Sequence, residues 1–141
     1  INAKFVTQED REGLGHAIWC AREVLDLKSG LVIHLGDTIV DIDIKKILAE
    51  PYSTLCVKKV DDPRAFGVAE IGEEGFIKAV VEKPSIPKSN MALVGFYFIR
   101  ETDKLIEALE HNIKNEKRNN NEFYLTDALQ EMIANGVKQK S

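Results

Sequence analysis

Two cysteines in 141 residues are too few for a disulfide framework, and Cys20 and Cys56 are not spaced as a metal knuckle. Cys20 falls in a stretch of helical period and Cys56 in a strand-like run, so both read as buried free thiols suited to a reducing cytoplasm. No apolar run approaches the length of a membrane span, and no signal-like segment opens the chain. Lysine and arginine number 19 against 23 aspartates and glutamates, a net charge of −4 with a pI near 5.4. The basic face that nucleic-acid binding requires is therefore missing. Internal repeats and low-complexity segments are absent as well. The first residue is Ile1 rather than Met, and we expect a fragment or a processed product.

What is present is ordinary for a globular protein: 44% hydrophobic and 30% charged residues, enough chain to bury a proper core as one domain or a large piece of one. Asn2 to Val6 reads as a short strand. Gly13-Leu14-Gly15 then opens a helical stretch whose stripe is Leu14, Ala17, Ile18, Ala21, Val24 and Leu25. Leu31 to Leu35 is a buried strand, giving a strand, helix, strand unit that is right-handed by the usual rule. Ile42 to Ala49 is a short helix stopped by Pro51. Thr54 to Val60 alternates as a strand, and Phe66–Ile71 with Phe76–Val81 forms a hairpin across Gly72-Glu73-Glu74-Gly75. Met91 to Ile99 is a long apolar strand interrupted by Gly95, where the backbone is expected to approach another group closely. Helices follow, with Leu105, Ile106, Leu109 and Ile113 on one stripe and Leu125, Ala128, Leu129, Met132 and Ile133 on the next. The expected fold is α/β and Rossmann-like: three layers around a mostly parallel mixed sheet, with an antiparallel hairpin insertion.

Chemistry concentrates at Leu31-Val-Ile-His-Leu-Gly36-Asp37. Ligands of open α/β sheets bind just outside the carboxyl ends of strands. Gly36 there permits a sharp turn or a close approach to phosphate. Asp37 is a hard oxygen donor of the kind Mg²⁺ takes from proteins alongside substrate phosphates, though the same residue also suits a plain turn cap. Upstream, Gly13 and Gly15 could turn backbone N–H groups toward a ligand, or serve as a hinge in a solvated loop. Gln8 carries an amide able to donate and accept, as a pyrimidine edge requires. Asp127, in the first turn of the last helix, is electrostatically at ease there whatever else it does. His16, His34 and His111 read as core or surface histidines, with no His-centred catalytic set.

Six motifs occur in order: Gln8 with Gly13-Leu-Gly-His-Ala17; Leu35-Gly-Asp37; Ala65-Phe-Gly-Val68; Val81-Glu-Lys-Pro84; Ser89-Asn-Met-Ala-Leu-Val-Gly95; and Glu122-Phe-Tyr-Leu-Thr-Asp-Ala128. Together they resemble the sugar-1-phosphate nucleotidylyltransferases, the family of glucose-1-phosphate uridylyl- and thymidylyltransferases. The resemblance implies that Gln8 and Gly13 read the pyrimidine and, with Gly36, bind the nucleotide. It implies that Asp37 and Asp127 hold a catalytic Mg²⁺. Gly67, Glu82, Val94 and Gly95 would line the sugar, Glu82 accepting from its hydroxyls, and Lys83 would grip the sugar phosphate. The family's glycine-rich amino-terminal signature and its carboxyl-terminal elements are absent. Residues 1–141 are thus expected to be the central part of one nucleotidyltransferase domain, with little activity alone.

The implied reaction is attack of a sugar-1-phosphate oxygen on the α-phosphorus of UTP or dTTP, with pyrophosphate leaving. That nucleophile is already ionised, so catalysis needs charge relief and in-line positioning rather than a strong base. Nucleoside triphosphate and sugar-1-phosphate are the expected partners, with no nucleic acid, no membrane and a homo-oligomeric state. Two other classes compete: a metal-dependent glycosyltransferase using Asp41-Ile-Asp43, and a regulatory or scaffold subunit that keeps the fold without the activity.

Overall fold

Residues 2–141 are described by the computed structural model. The central element is β5 (Met91–Ile99), whose apolar run is buried at Ala92, Leu93 and Phe96 through Ile99. One edge of β5 takes β2 (Ser53–Lys59), antiparallel, along its length. The other edge is shared. β1 (Leu31–His34) pairs with Phe96–Ile99, while β3 (Gly67–Ile71) pairs with Met91 and Ala92. β3 continues into β4 (Ile77–Glu82) as the expected hairpin. Near the carboxyl end, β6 (Gln139–Lys140) adds to β2 in parallel.

Between β1 and β3 the shared edge parts at Gly95. Its φ is +76°, a left-handed conformation that glycine adopts without a Cβ penalty. Here β2 also slips register, Leu55 facing Tyr97 but Val57 facing Leu93. The resulting bulge turns β5 and leaves a gap in the sheet. The cavity of interest lies at that gap.

α1 (Leu14–Cys20) is shorter than its stripe suggests and continues as a 3₁₀ turn over Ala21–Val24. α2 (Ile44–Ala49) is capped by Asp43, whose carboxylate accepts from the Lys46 N–H at 3.2 Å. α3 (Thr102–Lys114) and α4 (Leu125–Ala134) pack together over the sheet through Leu105, Leu109, Ala128, Leu129 and Met132, all buried. The Gln130 side chain accepts from Val80 N–H at 2.8 Å and ties α4 to β4.

The α/β class, the mixed sheet and the hairpin agree with expectation; the balance of strand directions does not. Among the described residues four of the five strand pairings are antiparallel and only β2 with β6 is parallel. A buried apolar run looks alike in either direction, so alternation with helices biased the reading toward parallel strands. Asn2–Val6 adopts no strand among the described residues, and Phe5 stands 95% exposed, so the strand, helix, strand unit is not formed.

Candidate active site

A cavity of about 580 Å³ opens at the gap. Asp37 and Thr38 border it from the turn after β1, Gly67 and Glu82 from the β3–β4 pair, Val94 and Gly95 from β5, and Tyr124 and Thr126 from the entry to α4. Five expected residues, Asp37, Gly67, Glu82, Val94 and Gly95, are thereby brought together.

The glycines earn their places sterically. A Cβ on Gly67 would sit 2.8 Å from the Thr126 methyl and 3.1 Å from Glu82 Oε2. On Gly95 it would sit 2.7 Å from Thr38 Oγ1, and the Gly95 carbonyl accepts from Leu35 N–H at 2.9 Å. Gly36 differs. It has open space where a Cβ would be, has no positive φ and is not part of the wall.

Glu82 is half-buried, and Thr126 donates its hydroxyl proton to Oε2 at 2.9 Å. Burial raises its carboxyl above the usual range; the Thr126 hydrogen bond and then the Lys83 ammonium pull the other way. Its other oxygen, Oε1, has no hydrogen-bond partner among the described residues and can accept from a ligand hydroxyl. Tyr97, deeper in the wall, is pushed up to about 12, first by burial and then by the charge of Glu82.

Lys83 follows the wall residue Glu82 and is not itself part of the lining. Its backbone is left-handed, φ +41°, an uncommon conformation for a residue with a side chain. A hydrogen bond from its N–H to Phe66 carbonyl at 2.9 Å holds that conformation, and Nζ lies 5.5 Å from the centre of the Tyr124 ring. Strain of this kind is concentrated at ligand sites.

The two expected metal ligands stand on different elements, Asp37 on the turn after β1 and Asp127 in the first turn of α4. Asp127 is half-buried, its carboxyl raised by burial, and lines a separate pocket with His111, Asn112, Lys117, Gln130 and Glu131. Successive residues of an α-helix point about 100° apart. On α4, Thr126 takes the direction toward Glu82, and the charge of the neighbouring Asp127 adds to the rise of the Glu82 carboxyl. Among the described residues no cluster of three or more His, Cys, Asp or Glu could hold a metal. Asp37 itself is exposed, with one oxygen accepting from Thr38 Oγ1 at 3.3 Å. A single carboxylate of this kind fits Mg²⁺ only where phosphate oxygens and water complete the octahedron.

Gln8 and Gly13 meet beside the cavity, next to its wall residue Leu14. Gln8 Nε2 donates to the Gly13 carbonyl at 3.0 Å and lies 3.0 Å from His16 Nδ1. Gly13 has φ +96°, and a Cβ there would fall 2.8 Å from the Phe123 carbonyl oxygen. Phe123 in turn closes the loop, donating to Glu12 O and accepting from Gly15 N–H, both at 2.8 Å.

Sequence reasoning missed Lys58, Thr126 and Tyr124 as wall residues. Lys58 was signalled faintly, as a charge ending the alternation of β2. Thr126 was hidden by its acidic neighbour.

A family model described as nucleotidyl transferase matches residues 1–141. A glucose-1-phosphate thymidylyltransferase of Streptomyces antibioticus is 30% identical over 100% of this chain and 40% of its own length. The bifunctional protein GlmU of Methanocaldococcus jannaschii is 36% identical over 92% of this chain and 30% of its own length. The chain thus spans well under half of these relatives. Among solved structures, a UDP-glucose pyrophosphorylase complexed with UDP-glucose aligns with a TM-score of 0.76 at 26% identity, covering 98% of this chain and 57% of that one. With its whole length matched by that model, the chain belongs to the nucleotidyl transferase family.

Proposed function

We propose that the full-length protein transfers a nucleotidyl group from UTP or dTTP to a sugar-1-phosphate, glucose-1-phosphate first among candidates, and releases pyrophosphate. The observation that carries the reading is the convergence of Asp37, Gly67, Glu82 and Gly95, drawn from the turn after β1 and from β3, β4 and β5, on one cavity. Glu82, oriented by Thr126, accepts from sugar hydroxyls, and the absence of side chains at Gly67 and Gly95 leaves room for the ring. Lys83 holds the sugar phosphate as a compact positive charge. Gln8 and Gly13 read the pyrimidine.

The wall carries Asp37, Glu82 and Glu122 against one ammonium, Lys58. Two anionic substrates entering such a wall require added positive charge. Asp37, joined by Asp127, would hold Mg²⁺ together with substrate oxygens, the ion supplying charge neutralisation and a template for in-line displacement. The proposal sets the reaction in the cytoplasm, where thiols such as Cys20 and Cys56 stay free. No helix among the described residues is long and apolar enough to cross a membrane. Self-association of the protein belongs to the same reading.

A pyrophosphate-release matrix on the full-length protein, crossing UTP, dTTP, CTP and ATP with several sugar-1-phosphates, tests it. Release that requires both a pyrimidine triphosphate and a sugar-1-phosphate is expected; no release in any cell of the matrix would overturn it. The glycosyltransferase reading has weaker support, since the Asp43 carboxylate already caps α2. A scaffold role leaves the converging wall without a purpose.

A further inference from the structure

His16 is buried, bears an imidazole, and takes no part in the reaction above. Its neighbours determine which ring nitrogen carries the proton. Gln8 Nε2 lies 3.0 Å from the Gly13 carbonyl oxygen and 3.0 Å from His16 Nδ1. A carbonyl oxygen can only accept, so the amide nitrogen must face Gly13, and its second hydrogen then points at Nδ1. Nδ1 is therefore the bare, accepting nitrogen. The ring proton sits on Nε2, which faces the Glu12 carboxylate at 3.4 Å and Cys20 Sγ at 3.6 Å. Glu12 is in turn held by Arg118 at 2.7 Å. The ring packs against Trp19 and Phe123, with centroids 5.8 and 6.4 Å away. Both hydrogens of the Gln8 amide are thus engaged within the protein, leaving Oε1 as all it can offer a ligand.

The geometry points to His16 as a positioning residue for nucleobase choice, one that locks the Gln8 amide with its acceptor outward. The inference rests on the proposed role of Gln8 in reading the base. Uracil and thymine carry a hydrogen on N3, which an outward oxygen accepts. Cytosine carries a bare lone pair at N3, and oxygen facing it would leave two acceptors opposed and desolvated. A free glutamine amide turns over and serves either base equally well. Discrimination therefore comes from the lock, with the chain Arg118, Glu12, His16 and Gln8 transmitting it.

The test measures dissociation constants of UTP and CTP, with Mg²⁺, for the full-length protein by calorimetry. Wild type is compared with His16→Phe, His16→Gln and Gln8→Leu. Phenylalanine keeps a flat ring against Trp19 and Phe123 but offers no acceptor. His16→Phe is expected to lower the preference for UTP over CTP roughly five- to tenfold, about the worth of one hydrogen bond. His16→Gln, whose amide oxygen can accept from Gln8, is expected to restore most of it. A folded His16→Phe with the wild-type preference, beside a Gln8→Leu that has lost it, overturns the lock and leaves base reading intact. A wild type indifferent to the base, or a Gln8→Leu that keeps its preference, overturns base reading itself. Where His16→Phe does not fold, His16→Asn, too short to reach the amide, is read by the same ratio.

Discussion

Glu82 carries the clearest conflict between stability and use. Burial raises its carboxyl, so the folded protein holds the proton more tightly than the unfolded chain does. Its contribution to stability is fullest below the ordinary carboxylate range and is lost as pH rises through the raised folded value. Glu82→Gln keeps an oxygen for Thr126 and removes the charge. Thermal melting should find it at least as stable as wild type near neutral pH, the advantage fading toward about pH 4. A loss of several degrees near neutrality would contradict this. The same variant should bind sugar phosphate less tightly. Lys83→Ala should raise KM for sugar-1-phosphate on the order of tenfold, the value of about one charge-assisted hydrogen bond, with little change for the triphosphate. An effect confined to the triphosphate would show the lysine serving another ligand. Motif resemblance made Gly67, Glu82 and Gly95 legible because each meets a steric or hydrogen-bonding demand seen in the cavity. Thr126 was less legible, because its hydrogen bond to Glu82 depends on the phase of α4, which a motif does not carry.

At the scale of elements, periodicity served well for long segments. The bounds of β5 and the stripes of α3 and α4 came through because burial enforces them. Strand direction did not, since apolar alternation carries no polarity. β6 was invisible: two residues, Gln139 and Lys140, cannot show a period. Gly95 is where element geometry and function meet, because its left-handed turn parts β1 from β3. Gly95→Ala forces a Cβ to within 2.7 Å of Thr38 Oγ1 and into a disfavoured φ. Urea denaturation should find a loss of about 1–3 kcal/mol. Unchanged stability would mean that the bulge relaxes freely.

Across the molecule, one face of the sheet is sealed by α3 and α4 while the opposite demand, a gap in the β5 edge, remains open for a ligand. Leu129 is fully buried between these layers. Leu129→Ala should cost about 2–5 kcal/mol in the same denaturation experiment and leave substrate affinities of the folded fraction unaltered. A change in those affinities would couple the core to the cavity more tightly than the packing suggests. The central claim is that Asp37, through the Mg²⁺ it would hold, organises anionic substrates at this gap. Pyrophosphate release from UTP or dTTP by the full-length protein, with Mg²⁺ and glucose-1-phosphate, compares wild type directly with Asp37→Asn. The account predicts a fall of at least about a hundredfold, the scale of losing one preorganised electrostatic contact, with melting temperature preserved. Near-normal release by the folded variant would contradict it.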